Sequence, residues 1–383
     1  MRLLHTVTSI APQCGGPTES LRQFTLTMSK MGHYQEVTTV DSADKAWVHN
    51  FPVPTNALGP RLGHYSYSRK LSSWLLSNAK RFDSIIIHGI WQYQSLAVWQ
   101  ASRKLGFPYF VFPHGALDPW FNQAFPLKRL KKSLYWPWGQ HPVLRDAKSV
   151  LFTTQEEMLL ARNSFRPYNV KETVVGYGIC PPQLDERSQS EMFLQAYPHL
   201  RGERILLFLS RIHIKKGCDL LIRAFSAVAQ DNPNLHLVIA GPDQEGLASQ
   251  LMLLAASLNV ADRITWPGML TGDLKWGAYL SAEAFVLPSH SENFGIVVTE
   301  ALACGKPVLI TNKVNIWREV SEDGAGLVEA DNEEGVTSML KKWLSLQPQQ
   351  KESMAERART CFSQRFNLQE MATSFIKTIE SHL

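Results

Sequence analysis

Cysteine is scarce in this chain: Cys14, Cys180, Cys218, Cys304 and Cys361 are scattered through 383 residues. Their odd number, and the lack of any Cys-x-x-Cys or Cys/His ligand spacing, argue against a disulfide framework and a zinc site. A reducing, cytoplasmic setting is expected. No stretch approaches the roughly 20 apolar residues of a membrane span. The opening MRLLHTVTSIAPQCGG breaks its apolar run at His5, Thr6 and Thr8, too early for a secretory signal. Any meeting with a membrane is therefore expected from its side. Strong charge is also missing, since a net +5 is mild beside the basicity of a dedicated nucleic-acid binder. Tandem repeats, low-complexity tracts, a Walker A loop and a G-x-G-x-x-G fingerprint are absent. So is any Asp-x-Asp pair, which leaves a nucleotide diphosphate to be held by fixed cations in place of Mg²⁺.

What is present is apolar content of 44% with 19% charged residues, enough to bury large cores. A chain this long suits two domains of roughly 150 to 200 residues. Short runs rich in Ile, Val, Leu and Phe (RLLHTV, FDSIIIHG, PYFVFP, KSVLFT) alternate with longer helical patterns, the signature of βαβ units in a parallel sheet. A second series follows: ERILLFLS, HLVIAGP, RITWPG, AFVLPS and KPVLIT. Two doubly wound α/β domains are expected, residues 1–178 and 191–361. GICPPQLDERSQS between them supplies a linker at 179–190, because its double proline continues neither helix nor central strand. A terminal helix within about 362–383 is placed to pack back onto the first domain.

Ligands of open parallel sheets bind beyond the carboxyl ends of the strands, so the loops there carry the chemistry. In APQCGGPTES, Gly15 and Gly16 sit between the first strand and a helix, where backbone N–H groups either approach a phosphate or form a plain tight turn. In LSRIHIKKG, Arg211 ends a strand and Lys216 precedes the next helix. They are either solvated surface cations or a planar fork and a point charge for a diphosphate. In SENFGIVVTEALACG, Glu292 lies on the strand's exit loop and Glu300 in the second turn of the helix that follows. Asn293, Phe294 and Gly295 offer their amides at the helix start. Two carboxylates around exposed amides suit two polyhydroxy groups joined by phosphate; the plainer alternative is a capping carboxylate and a surface helix Glu.

Taken together, Pro288 to Ala303 (P-S-x-x-E-x-F-G-x-x-x-x-E-A-x-A), Ser210 to Gly217 (S-R-x-x-x-x-K-G) and the early Gly-Gly loop resemble the family-4 retaining glycosyltransferases of the GT-B architecture. The resemblance runs over essentially the whole chain. It implies a GT-B fold, two Rossmann-like domains facing across a cleft. It further implies that Glu292 and the amides after it hold the donor sugar, Glu300 the nucleotide ribose, and Arg211 and Lys216 the diphosphate. Gly16 would meet the same phosphates from across the cleft, and the base would lie near Gly268 and Met269. Two departures stand out: Asn293 where many members carry Gly, and VNIWREV (Val314 to Val320) where a Gly-rich loop is commoner. In VFPHGALDPW, the family resemblance sets His114 beside the donor sugar, where an imidazole can bond a hydroxyl and fix orientation. Asp118 either contacts the acceptor or steadies the turn before Pro119.

The implied activity is transfer of a hexose, with retention, from a nucleotide sugar to a saccharide or lipid-linked saccharide in polysaccharide biosynthesis, without cofactor or metal. UDP-glucose is the first expectation for the donor and GDP-mannose the second. Lys216→Ala is expected to nearly abolish turnover and leave folding intact. A nucleotide-sugar epimerase or a non-catalytic nucleotide-sugar-binding subunit are the alternatives; a Rossmann dehydrogenase would have no use for this cation and carboxylate set. Finally, FNQAFPLKRLKKSLYWPW carries Lys128, Arg129, Lys131 and Lys132 in a stretch, Pro119 to Arg145, that has no acidic residue. As a helix it sets Leu127, Leu130 and Leu134 on one side, with Trp136 and Trp138 beyond. That composition fits either an anionic membrane surface or an ordinary amphipathic helix with a solvated basic face. No nucleic-acid partner is expected.

Overall fold

The structure, a computed structural model, describes residues 1–14, 16–181 and 185–383. It divides into two compact units, residues 1–180 with 368–383, and residues 181–367. The first holds a sheet of seven strands: β1 (Arg2–Val7), β2 (Tyr34–Thr39), β3 (Thr55–Ala57), β4 (Ser84–His88), β5 (Tyr109–Phe112), β6 (Val150–Phe152) and β7 (Glu172–Val174). Their order is β3-β2-β1-β4-β5-β6-β7, and the pairings are parallel. The second unit holds β8 (Arg204–Leu209), β9 (Leu235–Ala240), β10 (Ile264–Gly268), β11 (Ala284–Leu287), β12 (Val308–Thr311) and β13 (Gly326–Glu329). These too are parallel, in the order β10-β9-β8-β11-β12-β13.

Central strands such as SIIIH and AFVL are buried throughout or nearly so, as parallel strands covered by helices on both faces must be. Each sheet grows outward from its first strand and then reverses, between β1 and β4 in one unit and β8 and β11 in the other. The crevice at such a switch point is where open α/β sheets take ligands.

The C-terminal helix Leu368–His382 belongs to the first unit. Its Phe375 is fully buried, edge-on to Phe24 with ring centroids 5.0 Å apart, and its Leu368 N–H donates to the Ile179 carbonyl at 3.2 Å. Two boundaries differ from expectation. Residues 186–190, assigned to a linker, open the helix Glu186–Ala196, because the Asp185 carboxylate accepts from the Ser188 N–H at 3.0 Å and caps it. Residues 362–366 do not start the terminal helix. They continue the preceding one, Pro348–Cys361, as a wide turn, and bury Phe362 and Phe366 in the second unit.

Candidate functional site

In the second unit, β8 runs into Ser210 and an exposed Arg211, and a short turn at Ile214–Lys216 brings Lys216 back inward. Gly217 closes that turn at φ +66, and a Cβ there would stand 2.2 Å from the Pro288 carbonyl oxygen, so only glycine fits. The contact presses the β8 exit loop onto the β11 exit loop. There the Lys216 ammonium pairs with the Glu292 carboxylate, with side chains only 8% and 19% exposed. Two residues chosen separately from sequence thus form one ion pair at the switch point.

The backbone of Glu292 is fixed as well. Its N–H donates to the Lys313 carbonyl at 2.8 Å and its carbonyl accepts from Asn315 at 3.0 Å, a single parallel bridge onto Val314. Lys313 and the start of VNIWREV, the departure from the family pattern, supply this clamp. Gly295, at φ +80, starts the helix Ile296–Ala303. Phe294 points into the core, edge-on to Phe366 at 5.7 Å, and anchors the loop.

Glu300 is engaged by two residues not anticipated from sequence: Lys275 Nζ donates at 2.7 Å and the Tyr279 hydroxyl at 2.9 Å. Lys275 and Tyr279 lie four apart on the helix Gly272–Ser281, hence on one face, and that spacing was the available signal. Burial first, and the Glu300 charge second, hold the Tyr279 phenol well above its ordinary range, so it remains a donor. Gly268, at φ +73, ends β10 and accepts from the Gly241 N–H at 2.8 Å, with Met269 exposed beyond it.

In the first unit, Gly15 lies outside the described residues, and Gly16 is the exposed first residue of the helix Gly16–Lys30. His114 follows β5 in the left-handed region at φ 51, and Gly115 continues at φ 76. This turn is held by Glu157, another residue not anticipated. Its buried carboxylate accepts from the Gly115 N–H at 2.6 Å and from Thr153 N–H at 2.8 Å. Thr154-x-x-Glu157 is a capping-box spacing, which could have drawn attention to it. His114 stacks against Phe112 with ring centroids 5.3 Å apart and forms a hydrogen bond through Nε2 to His88 Nδ1 at 3.0 Å. Burial pushes its pKa down to about 4, so the ring is neutral. A narrow crevice of about 20 Å³ is lined by His88, Phe112, His114, Tyr177 and the first turns of the Gly16–Lys30 helix. Asp118 accepts from the Trp120 N–H at 2.9 Å, capping the helix Pro119–Ala124.

The basic segment forms the helix Pro126–Tyr135. Lys128 lies over the Phe125 ring and Lys132 over Trp91, each 4.6 Å from the centroid. Its leucines stay out of the core: Leu127, Leu130 and Leu134 are 85%, 61% and 69% exposed, with Trp138 at 66%. Trp136, grouped with Trp138 from sequence, is instead fully buried, its indole N–H donating to the Pro167 carbonyl at 2.8 Å. Among the described residues no helix is long and apolar enough to cross a membrane.

Two family models tile the chain. "Glycosyl transferase 4-like domain" matches residues 15–178 and "Glycosyl transferases group 1" matches residues 190–360. The chain is 31% identical over 176 residues to a D-inositol 3-phosphate glycosyltransferase of Mycolicibacterium gilvum, covering 45% of this chain and 38% of that protein. It is 32% identical over 234 residues to the protein of that name from Actinosynnema mirum, covering 57% and 54%. The matches thus span about two fifths to one half of the length of these curated relatives. Among solved structures, Anabaena HepE in complex with UDP and glucose superposes over the full length of both chains with a TM-score of 0.77 at 18% identity. Sucrose-phosphate synthase from Thermosynechococcus elongatus gives 0.77 at 19% identity, over 99% of this chain and 98% of that one. Two family models in tandem, on two parallel-sheet units of this topology, make the chain a member of the family-4 glycosyltransferases of the GT-B architecture.

Proposed function

We propose that the protein transfers a hexose, with retention of configuration, from a nucleotide sugar to a saccharide or lipid-linked saccharide acceptor. One observation carries this function: the Lys216–Glu292 ion pair at the β8/β11 switch point, beside the Glu300–Lys275–Tyr279 cluster. Cations at a strand exit meet a diphosphate without Mg²⁺, and carboxylates accept from vicinal hydroxyls. Glu292 and the loop Asn293–Gly295 hold the sugar, Glu300 the ribose, Arg211 and Lys216 the diphosphate, and Met269 borders the base. Gly16 adds a helix N-terminus for the phosphates, and His114 a bond to a sugar hydroxyl. The leaving diphosphate takes the acceptor's proton, while Arg211 and Lys216 stabilise the charge that develops on it.

UDP-glucose is the proposed donor, supported by the HepE complexes with UDP and glucose and with UDP-glucose. Thermal-shift screening with UDP-glucose, GDP-mannose and other nucleotide sugars tests this, since a ligand of the native state raises its apparent stability. No response to any nucleotide sugar would remove the assignment. Release of free nucleotide diphosphate on adding acceptor separates a transferase from an epimerase or a binding subunit.

We propose further that the helix Pro126–Tyr135 rests on anionic lipid. The exposed Leu127, Leu130, Leu134 and Trp138, bordered by Lys128, Arg129 and Lys131, form an apolar stripe in a basic frame. Flotation should be strong on anionic liposomes and lost when the three leucines are replaced by serine. Indifference to lipid charge would discard this contact.

A further inference from the structure

The sheet of the first unit carries a diagonal row of polar side chains across four adjacent strands. Register pairs Leu3 with Gln35, Val7 with His88, and His88 with Phe112. From Gln35 on β2 to His5 on β1, to His88 on β4, to His114 just past β5, each step therefore advances two residues toward the carboxyl edge. A two-residue step keeps the side chain on the same face of the sheet. That face is the one covered by the helices Gly16–Lys30 and Leu368–His382, where Phe24 stands edge-on to His5 at 6.0 Å.

The row is continuously hydrogen-bonded. His5 Nε2 lies 2.8 Å from Gln35 Oε1, His5 Nδ1 lies 2.9 Å from His88 Nε2, and His88 Nδ1 lies 3.0 Å from His114 Nε2. Burial drives His5 and His114 down to about 4 and His88 well below its ordinary value, so each ring carries one proton. A neutral imidazole donates from one nitrogen and accepts at the other, so the direction of the first bond dictates all the rest. Gln35 turns its carbonyl oxygen, which only accepts, toward His5, while its Nε2 is buried with no hydrogen-bond partner among the described residues. His5 must then donate from Nε2 and accept at Nδ1, His88 must do the same, and His114 must donate from Nε2.

We propose that Gln35, His5 and His88 are positioning residues that fix His114 as the Nε2–H tautomer, so that its Nδ1 offers a lone pair to a hydroxyl of the bound sugar. The functional part of this rests on the role proposed above for His114; the tautomer part does not. Had Gln35 turned its amide nitrogen to His5, the same row would run in reverse and His114 would present an N–H. The orientation of one side chain at the far end of four strands thus sets the polarity of the group at the carboxyl edge.

Selective ¹⁵N-histidine labelling and long-range ¹H–¹⁵N correlation read the tautomer of each ring. We expect Nε2–H at His5, His88 and His114. His88→Leu removes the acceptor for His114 and should change the His114 ¹⁵N pattern. It should also lower kcat with UDP-glucose at least tenfold, with a smaller change in KM. His88→Gln, whose amide can both donate and accept in place, should keep the pattern and most of the turnover. An Nδ1–H tautomer at His114, or a His114 spectrum unmoved by His88→Leu, overturns the proposal whatever the turnover. If the spectra follow expectation while turnover is unaffected in His88→Leu, the row stands and it is the placement of His114 at the reacting centre that fails.

Discussion

Removing Lys216 should damage stability and turnover separately, and the two losses can be pulled apart. The Lys216 and Glu292 side chains are 8% and 19% exposed. Truncating one partner of a fully buried ion pair costs about 3–5 kcal/mol, largely because the other charge stays behind without compensation. Partial access of water to Glu292 reduces this to about 2–3 kcal/mol. In a domain of this size about 1 kcal/mol moves Tm by about 2–4 °C, so Lys216→Met should melt about 4–12 °C below wild type. The variant should still fold, with a lower melting temperature. Adding Glu292→Gln removes the stranded charge, and the double variant should recover most of that loss. Turnover should behave otherwise: a missing charged contact to the leaving diphosphate costs about two to three orders of magnitude in kcat. The double variant should not recover it. Calorimetry and initial rates on wild type, both single variants and the double variant check this. A Lys216→Met protein that melts with wild type, or a double variant no more stable than that single variant, would refute the reasoning.

Acid should weaken the first unit through its histidine row. His5 and His114 titrate near 6.5 when unfolded and about 4 when folded, so the unfolded chain binds more protons between those values. Stability is therefore complete above about pH 6.5 and falls as pH drops toward 4, by about 2 kcal/mol per histidine at pH 5. Denaturant unfolding at pH 7 and pH 5 should show this, and His5→Gln should flatten the slope. Phe375→Ala, which empties a fully buried ring site between Phe24 and Phe112, should cost about 3–5 kcal/mol in the same experiment at pH 7. Gly217→Ala should displace the Lys216 turn, because its Cβ would meet the Pro288 carbonyl; donor affinity by titration should fall while Arg211→Ala alone leaves Tm unchanged.

The apolar strands were legible because parallel central strands are buried on both faces and read as short unbroken hydrophobic runs. The strands left unnamed are those that break the rule. β2, YQEVTT, is buried from Gln35 onward although Gln35, Glu36, Thr38 and Thr39 are polar. Partners elsewhere in the chain make this tolerable: Glu36 accepts from Arg81 at 2.6 Å and Asn56 at 3.0 Å, and Gln35 accepts from His5. Such long-range satisfaction has no local pattern. β7 and β13, ETV and GLVE, sit at sheet edges and are too short for alternation to register. The site shows the same division. Glu292, Glu300 and Lys216 were legible from spacing at strand exits. Lys275, Tyr279 and Glu157 showed only a helical or capping spacing and His88 nothing at all, because each acts by bonding a residue far away in sequence. His5 was noticed only as an interruption of an apolar run, which is what a polar residue seated in a core row looks like from sequence alone.

On the proposed function, the protein partners of Glu292 and Glu300 prepare both carboxylates for the donor. A carboxylate has about four acceptor positions and an ammonium three donors. Lys216 can keep Glu292 and still direct two N–H groups at a diphosphate oxygen. Glu300, with one bond on each oxygen from Lys275 and Tyr279, retains room for two ribose hydroxyls. These partners lock the side-chain rotamers before the ligand arrives, so the ordering entropy is spent in folding and not in binding. Tyr279 tests the point directly. Tyr279→Phe removes the hydroxyl that faces both Glu300 and the Val297 carbonyl, and no charge, leaves Glu300 paired to Lys275, and frees the carboxylate to rotate. Donor affinity should weaken several-fold with Tm lowered by only a few degrees. Unchanged affinity would mean that Glu300 is held for the fold alone and takes no part in gripping the nucleotide.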